Sequence, residues 1–407
     1  MDKIRSRISI HESPAIPVSK QHLEIVERKG KGHPDTICDT IADRVSVRLA
    51  QAYEKAFGRI LHYNIDKCLL VAGQVDCHLG GGHVIEPMRL ILGDRATMSH
   101  KRKTLPVNRI VIDTAHDWFQ HNLPHLNPEK HIQYQIELKP ASEELGAIFG
   151  RGRGPLPAND TSAAVGYAPL TPTENLVLGV EHHLNGARFK KKFPETGEDV
   201  KVMAVRYGQE LLLTVAMPFL AHTIRSEKAY FQLKTKVLEE LTSYVRHRPH
   251  GCKKFTATLN TLDRPKQGIR GMYLTLLGTS AEQGDSGQVG RGNRACGVIS
   301  LNRPMSGEAA AGKNPVSHVG KIYNVLAHEM ADRVYHQVRG VEEVTIWLVS
   351  TIGQKVNQPK IAAAQVALKK GMSINRIGPD IEAIIIDHLE NIGTFCSALA
   401  KGEYPVC

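Results

Sequence analysis

Residues 30–43 read GKGHPDTICDTIAD, and this short stretch decides how the rest of the chain is read. Gly30 and Gly32 sit among Lys29, Lys31 and His33, and Pro34 follows at the position where a helix tolerates a missing N–H. Ile37, Ile41 and Val45 recur every four residues and predict one apolar helix face over 34–57. Asp35, Asp39 and Asp43 recur at the same interval, displaced by two residues. At about 100° per residue the displacement is about 200°, so the carboxylates fall on the face opposite the apolar one. Such a stripe is ordinarily a solvated acidic face. The flanks suggest more, because open glycine N–H groups and lysines before a helix suit phosphate. Asp35 beside a phosphate calls for a divalent cation between them, since Mg²⁺ takes one or two carboxylates plus substrate phosphates. His33 lies between the two and can donate to a phosphate or leaving oxygen. By this reading Asp35 touches metal, Asp39 orients a neighbour, and Asp43 is a solvated or paired carboxylate.

The segment before it, EIVERKG, predicts a strand running into the glycine turn, so the unit is strand–turn–helix. The alternation continues along the chain. ILHYNIDKCLLVAGQVDC predicts one or two strands, and 108–121 a helix. Residues 150–170, rich in Gly and Pro, predict a loop or boundary. ENLVLGVEHHLN predicts a helix, and DVKVMAVRYGQELLLTVAMPF a hairpin turning at Tyr207-Gly208. EKAYFQLKTKVLEELTSYVRHR predicts an amphipathic helix, and MYLTLLGTSAEQGDSG a strand ending in a glycine loop. A strong helix is expected over NPVSHVGKIYNVLAHEMADRVYHQV, strands at VTIWLVS and KIAAAQVAL, and a last helix near 379–399. The class is therefore α/β, of the α+β type.

A chain of 407 residues can bury two or three packing units. Residues 1–21 read as an N-terminal arm, without the apolar core of a secretory signal. No apolar run approaches a membrane span. The seven cysteines are scattered, with no C-x-x-C pair, which predicts reduced thiols and a cytoplasmic protein. The net charge of +11 admits an anionic ligand. Aromatics at 5% and the absence of any block of five like charges argue against nucleic acid, and the basic runs KKK at 190–192 and HKRK at 100–103 are short and sit in loop-like contexts.

A second glycine-rich stretch, GTSAEQGDSGQVGRGNR at 278–294, holds Asp285, Arg291 and Arg294. The arginines can fork onto phosphate. Residues 307–314, GEAAAGKN, nearly match a P-loop, but Asn314 stands where Ser or Thr would meet Mg²⁺. Asn314 reads instead as a helix N-cap with Pro315 following, which puts Lys313 just before a helix start and Lys321 further along it.

VERKGKGHPDTICDTIAD, ANDTSAAVGYAPL, GEDVKVM, GTSAEQGDSGQVGRGNR and RPMSGEAAAGKNPVSHVGKIYN together resemble archaeal-type methionine adenosyltransferase, the S-adenosylmethionine synthetase family, from about residue 22 to 395. The resemblance implies three similar α/β units around a pseudo-threefold axis, taken as 22–150, 151–260 and 261–407 with approximate and interruptible boundaries. It implies a homodimer, Mg²⁺ and K⁺, and attack of the L-methionine sulfur on C5′ of ATP. Triphosphate leaves and is cut to pyrophosphate and phosphate. A neutral thioether needs no base, so the protein's work is positioning and neutralising charge. The resemblance assigns His33 and Lys313 to catalysis and Asp35 and Asp285 to Mg²⁺. It assigns Lys31, His62, Asp66, Asp160, Arg291, Arg294, Lys313 and Lys321 to nucleotide and phosphate.

Several blocks depart from the family. HYNIDK stands at 62–67 for HHNTDQ, and ELKPAS at 137–142 for RIGQGS. Ala163 replaces a phenylalanine, Ser286 replaces an aspartate, and GRGRG at 150–154 is an extra basic stretch. These changes leave two alternatives open: a different nucleotide or thioether, or a non-catalytic nucleotide-binding homologue.

Overall fold

Three sheets of four or five strands, each backed by its own helices, and three two-stranded pairings make up the computed structural model, which describes residues 7–141, 149 and 154–407. In chain order the elements used below are β1 (Ile8–Glu12), β2 (Leu23–Lys29), α1 (Pro34–Phe57), β3 (Tyr63–Val71), β4 (Gln74–His78), β5 (Gly81–Glu86), β6 (Met88–Ala96), β7 (Ser99–His100), β8 (Lys103–Thr104), α2 (Val107–Asn122), β9 (Ile132–Lys139) and β10 (Ala163–Ala168). They continue with α3 (Pro172–Leu184), β11 (Lys201–Tyr207), β12 (Glu210–Ala216), α4 (Glu227–Arg246), β13 (Lys254–Leu259), β14 (Gly287–Gln288), β15 (Ile299–Ser300), α5 (Val319–Gln337), β16 (Val341–Val349), β17 (Ile361–Leu368), α6 (Ile374–Glu390) and α7 (Ile392–Lys401).

The first core fills the space between α1, α2 and the sheet β14-β3-β6-β9, with Ile37, Ile41, Val45 and Leu49 facing Leu70, Leu90 and Phe119. The second lies between α3, α4 and the sheet β13-β12-β11-β2-β15, around Val177, Val202, Leu213 and Leu241. The third joins α5, α6 and α7 to the sheet β1-β17-β16-β10, around Ile322, Met330, Ile346 and Ile385. Sheet membership crosses the linear order. β2 pairs antiparallel with β11, Val26 opposite Ala204, and β15 adds to its other side. The N-terminal arm contains β1, which runs parallel to β17 near the other end of the chain.

Local signals explain most boundaries. Thr171 and Glu174 close a capping box around Pro172 at the start of α3. α1 ends on Gly58 in the left-handed conformation. The predicted hairpin is present, with the turn at Gly208, φ +57°.

Three expectations are corrected. α5 starts at Val319, capped by His318, and not at Asn314. The Asn314 side chain accepts from Val316 N–H and donates to Leu61 O, which closes a tight turn before the helix. The strand expected over 272–287 shrinks to Leu274–Thr275 and a short pairing at β14, since the intervening glycines wrap the site described next. The final helix begins earlier, at Ile374, and breaks at Asn391 into α6 and α7. ELKPAS begins inside β9 and ends beyond the described residues, where nearly all of GRGRG at 150–154 also lies.

Candidate active site

The turn between β2 and α1 is clamped from behind. Gly30 N–H donates to Val200 O at 2.6 Å and Gly32 N–H to Glu198 O at 3.1 Å. A Cβ on Gly32 would lie 2.5 Å from Asp199 N, so only glycine allows this approach. Thr279 Oγ1 donates to Gly32 O at 2.6 Å, and Asn293 exchanges two hydrogen bonds with the Lys29 main chain at 2.9 and 2.8 Å. The two glycine-rich stretches and the 198–201 segment therefore meet at the start of α1.

His33 is the N-cap of α1. Its Nδ1 accepts from Asp35 N–H at 3.2 Å. Burial lowers its pKa to about 4, with Asp35 opposing and Lys29, Lys201 and Arg291 adding to the effect. A neutral ring whose Nδ1 accepts must carry its proton on Nε2, so His33 presents an N–H donor.

The carboxylate stripe is not a solvated face. Asp35 Oδ1 accepts from Gln288 N–H at 2.9 Å, and its Oδ2 pairs with Lys29 Nζ at 2.9 Å. Asp39 Oδ1 accepts from Gly290 N–H at 2.8 Å, and Asp43 Oδ1 meets Lys321 Nζ at 2.6 Å. Each carboxylate thus holds the 288–321 segment against α1. The face opposite the apolar one is buried by chain some 250 or more positions distant (a 253-residue separation for Asp35 and Gln288, 278 for Asp43 and Lys321). Burial raises Asp39 to about 7, and its Oδ2 is buried without a partner.

The other candidate residues fall in two neighbourhoods. With His33 stand Asp35 and Arg291, joined by Lys29, Lys201 and Asp199. Lys29 Nζ also donates to Arg291 O at 2.6 Å. Asp285 is exposed and acts on buried Asp199, whose Oδ2 accepts from Ser280 N–H at 2.8 Å. Lys31 acts on Glu198 and Lys190. Arg294 Nη1 donates to Gly290 O at 3.0 Å, while its Nε is buried without a partner beside Asp39 in a small cavity.

The second neighbourhood lies before α5. Lys313 Nζ pairs with Asp66 Oδ2 at 2.6 Å, and this ammonium, with Lys67, holds Asp66 well below the carboxylate range against the opposing effect of burial. Lys321 Nζ also donates to Ser46 Oγ at 3.0 Å. The loop carrying half-buried Asp160 docks here, since Asn159 Oδ1 accepts from Val319 N–H at 3.3 Å. His62 is buried edge-on against Phe149, with Nδ1 unpartnered and its pKa lowered by burial. Ser286, the substituted position, accepts from Ala72 N–H at 3.0 Å.

Reading the sequence missed Asp199, Lys201 and Asn293, and gave Lys29 only a general place among the lysines that suit phosphate. GEDVKVM contains Asp199 and Lys201, and their signal was present as a motif without a role. Among the described residues no three His, Cys, Asp or Glu side chains are grouped to hold a metal on their own. Of the oxygens that could join a cation held mainly by a ligand's phosphates, Asp39 Oδ2 is buried without a partner and Asp285 is exposed, while the two Asp35 oxygens already meet Gln288 N–H and Lys29 Nζ.

Residues 6–403 match the sequence profile described as S-adenosylmethionine synthetase (AdoMet synthetase). The chain is 43% identical over 404 residues to the S-adenosylmethionine synthase of Pyrobaculum neutrophilum, covering 97% of this chain and 99% of that one. It is 42% identical over 390 residues to the S-adenosylmethionine synthase of Pyrococcus furiosus, covering 95% of each. A solved structure, described as an unusual S-adenosylmethionine synthetase from Campylobacter jejuni, superposes with a TM-score of 0.61 at 15% identity, covering 95% of each chain, and so shares the fold.

Proposed function

The chain belongs to the S-adenosylmethionine synthetase family and is a methionine adenosyltransferase, and from that premise we propose how its own residues carry the reaction. The sulfur of L-methionine forms a bond to C5′ of ATP as the C5′–O bond breaks. The sulfonium keeps the sulfur's former lone pair as the new bond, and triphosphate leaves with the C–O electron pair before hydrolysis to pyrophosphate and phosphate. The observation that carries the assignment is His33, buried, neutral and donor-ready at the head of α1 among Lys29, Lys201 and Arg291. Its Nε2–H donates to the leaving oxygen, and the three cations balance the charge that develops there.

Lys31, Arg291 and Arg294 bind the polyphosphate from the glycine-rich side, and Lys313 and Lys321 from the α5 side. Both lysines are already paired, but an ammonium has three donors, so each can add a phosphate oxygen. Asp160, His62 and Asp66 face the nucleoside and amino acid. Asp35 and Asp285 would hold Mg²⁺, which supplies charge neutralisation to the phosphates. K⁺ is the expected second ion. No described helix is long and apolar enough to cross a membrane, and the seven cysteines are free, which fits a cytoplasmic enzyme.

A homodimer is part of the proposal. Leu23, Tyr207, Leu212 and Leu301 are 43%, 59%, 45% and 59% exposed on or beside the β2–β11–β12 sheet. An apolar surface of this kind suits a second copy.

Nothing in the comparisons favours a changed nucleotide or a non-catalytic homologue. Mass spectrometry of products from methionine with each of the four nucleoside triphosphates tests the reading. S-adenosylmethionine from ATP is the expected product; a stronger product from another triphosphate, or none from any, overturns it.

A further inference from the structure

The basic run 100–103, which the reaction does not use, lies at the far end of α1 from His33. At about 1.5 Å per residue the two ends of α1 are about 35 Å apart. β7 and β8 form a hairpin, Ser99 opposite Thr104 and His100 opposite Lys103, with Lys101 and Arg102 as its two-residue loop. Beside it, the C-terminal turn of α1 and the hairpin border an open cleft of about 700 Å³. Lys55, Arg59, Lys101, Arg102 and Lys103 line it, and among the described residues no carboxylate does. Phe57 and His100 form an aromatic wall, their rings 5.7 Å apart and edge to face.

Part of this charge has a structural reason. Lys103 Nζ donates to Ala56 O at 3.2 Å, at the negative end of α1. Arg59 Nη1 donates to Phe149 O at 3.0 Å. Lys101 and Arg102 have no such reason. Both adopt left-handed conformations, φ +51° and +54°. A two-residue hairpin loop of this hand is normally Asn-Gly, and a side chain with a Cβ costs about 1–2 kcal/mol per residue there. Strain of this kind persists where the side chains it presents are used. The positive potential is felt locally, since His100 is lowered by partial burial and then by Arg59 and Lys101.

We propose that this cleft binds a nucleoside diphosphate or triphosphate apart from the reaction site, with the phosphates on Lys101, Arg102 and Lys55 and the base against Phe57 and His100. The volume lies in the range of a single small-molecule site, and two aromatic rings suffice for one base. A nucleic-acid track would need basic and stacking groups in series.

Calorimetric titration of the full chain with ADP tests this, with turnover of methionine and ATP read on the same samples. Lys101→Glu with Arg102→Glu should abolish or weaken at least tenfold one class of ADP binding, while turnover stays within twofold. Lys101→Asn with Arg102→Gly should weaken the same class and raise Tm by about 2–4 °C as strain is relieved. Superimposable ADP isotherms for wild type and both variants overturn the proposal. So does loss of single-stranded oligonucleotide binding in the variants without any loss of ADP binding. The reaction assignment stands or falls on turnover alone, so the two results separate.

Discussion

Lys321 Nζ and Asp43 Oδ1 stand 2.6 Å apart and tie α5 to the middle of α1 across 278 positions of sequence. The lysine side chain is 2% exposed and the aspartate 15%, so this is a buried ion pair. Removing one partner strands the other charge. Asp43→Ala should lower the unfolding free energy by about 3 kcal/mol in urea titration. Pairing it with Lys321→Met should recover most of that loss. A drop below about 1 kcal/mol for the single variant would show that the pair does not hold the two helices together.

His33 has two separable duties. As N-cap it accepts from Asp35 N–H, a contact that Asn can replace. His33→Asn should keep stability within about 1 kcal/mol of wild type and still lose transfer by two or more orders of magnitude. His33→Ala should lose both, while pyrophosphate still binds. Near-normal turnover in His33→Asn would remove the donor role.

Gly32→Ala tests the clamp behind the turn. The new methyl would meet Asp199 N and Glu198 C at 2.5 Å, both of them main chain. The turn must shift, and displacement of about 1 Å at the reacting groups costs about 100-fold in rate. Steady-state assays should show kcat/KM reduced by at least that factor. Activity within threefold would mean that the 198–201 segment yields freely.

His328 sets an acid limit on stability. It is buried, accepts from Tyr167 N–H at 3.4 Å, and burial with Arg303 nearby lowers it to about 4, against opposing effects from Tyr167 and Glu174. Above pH 6.5 the ring is neutral folded or unfolded, and its contribution is constant. As pH falls from about 6.5 towards 4 the unfolded chain takes up the proton first, so stability is lost across that window. About 2 kcal/mol should disappear between pH 7 and pH 5. His328→Gln should flatten that part of the profile in denaturant titrations at the two pH values; an unchanged slope assigns the acid limb to other groups.

Much of this is legible in the sequence itself. α1 was readable to the residue, because Pro34, the four-residue apolar repeat and Gly58 all act locally. The fate of the aspartates was not. Their opposite-face position followed from helical geometry, but what covers that face comes from 288–321, and no local rule pairs Asp43 with Lys321. Asn314 misled for the same reason: it has the chemistry of a cap, and a contact with Leu61 O turned it to a different use. Lys201 opens β11 and Asp199 lies just before it, and neither position carries a spacing signal. Their position beside His33 depends on β11 pairing with β2.

The span between Asp43 and Lys321 also bears on how the protein is born. Gln288, Gly290 and Lys321, which meet Asp35, Asp39 and Asp43, all lie beyond residue 287, so a nascent chain carries its acidic stripe without these partners until about the last quarter emerges. At 5–20 residues per second that interval is roughly 15–60 s. A ribosome-bound fragment ending before Gln288 has His33 without Arg291 and Asp35 without its main-chain partner. Such a fragment exposes carboxylates that the finished chain buries, and the surroundings of His33 are complete only after Arg291 has been made.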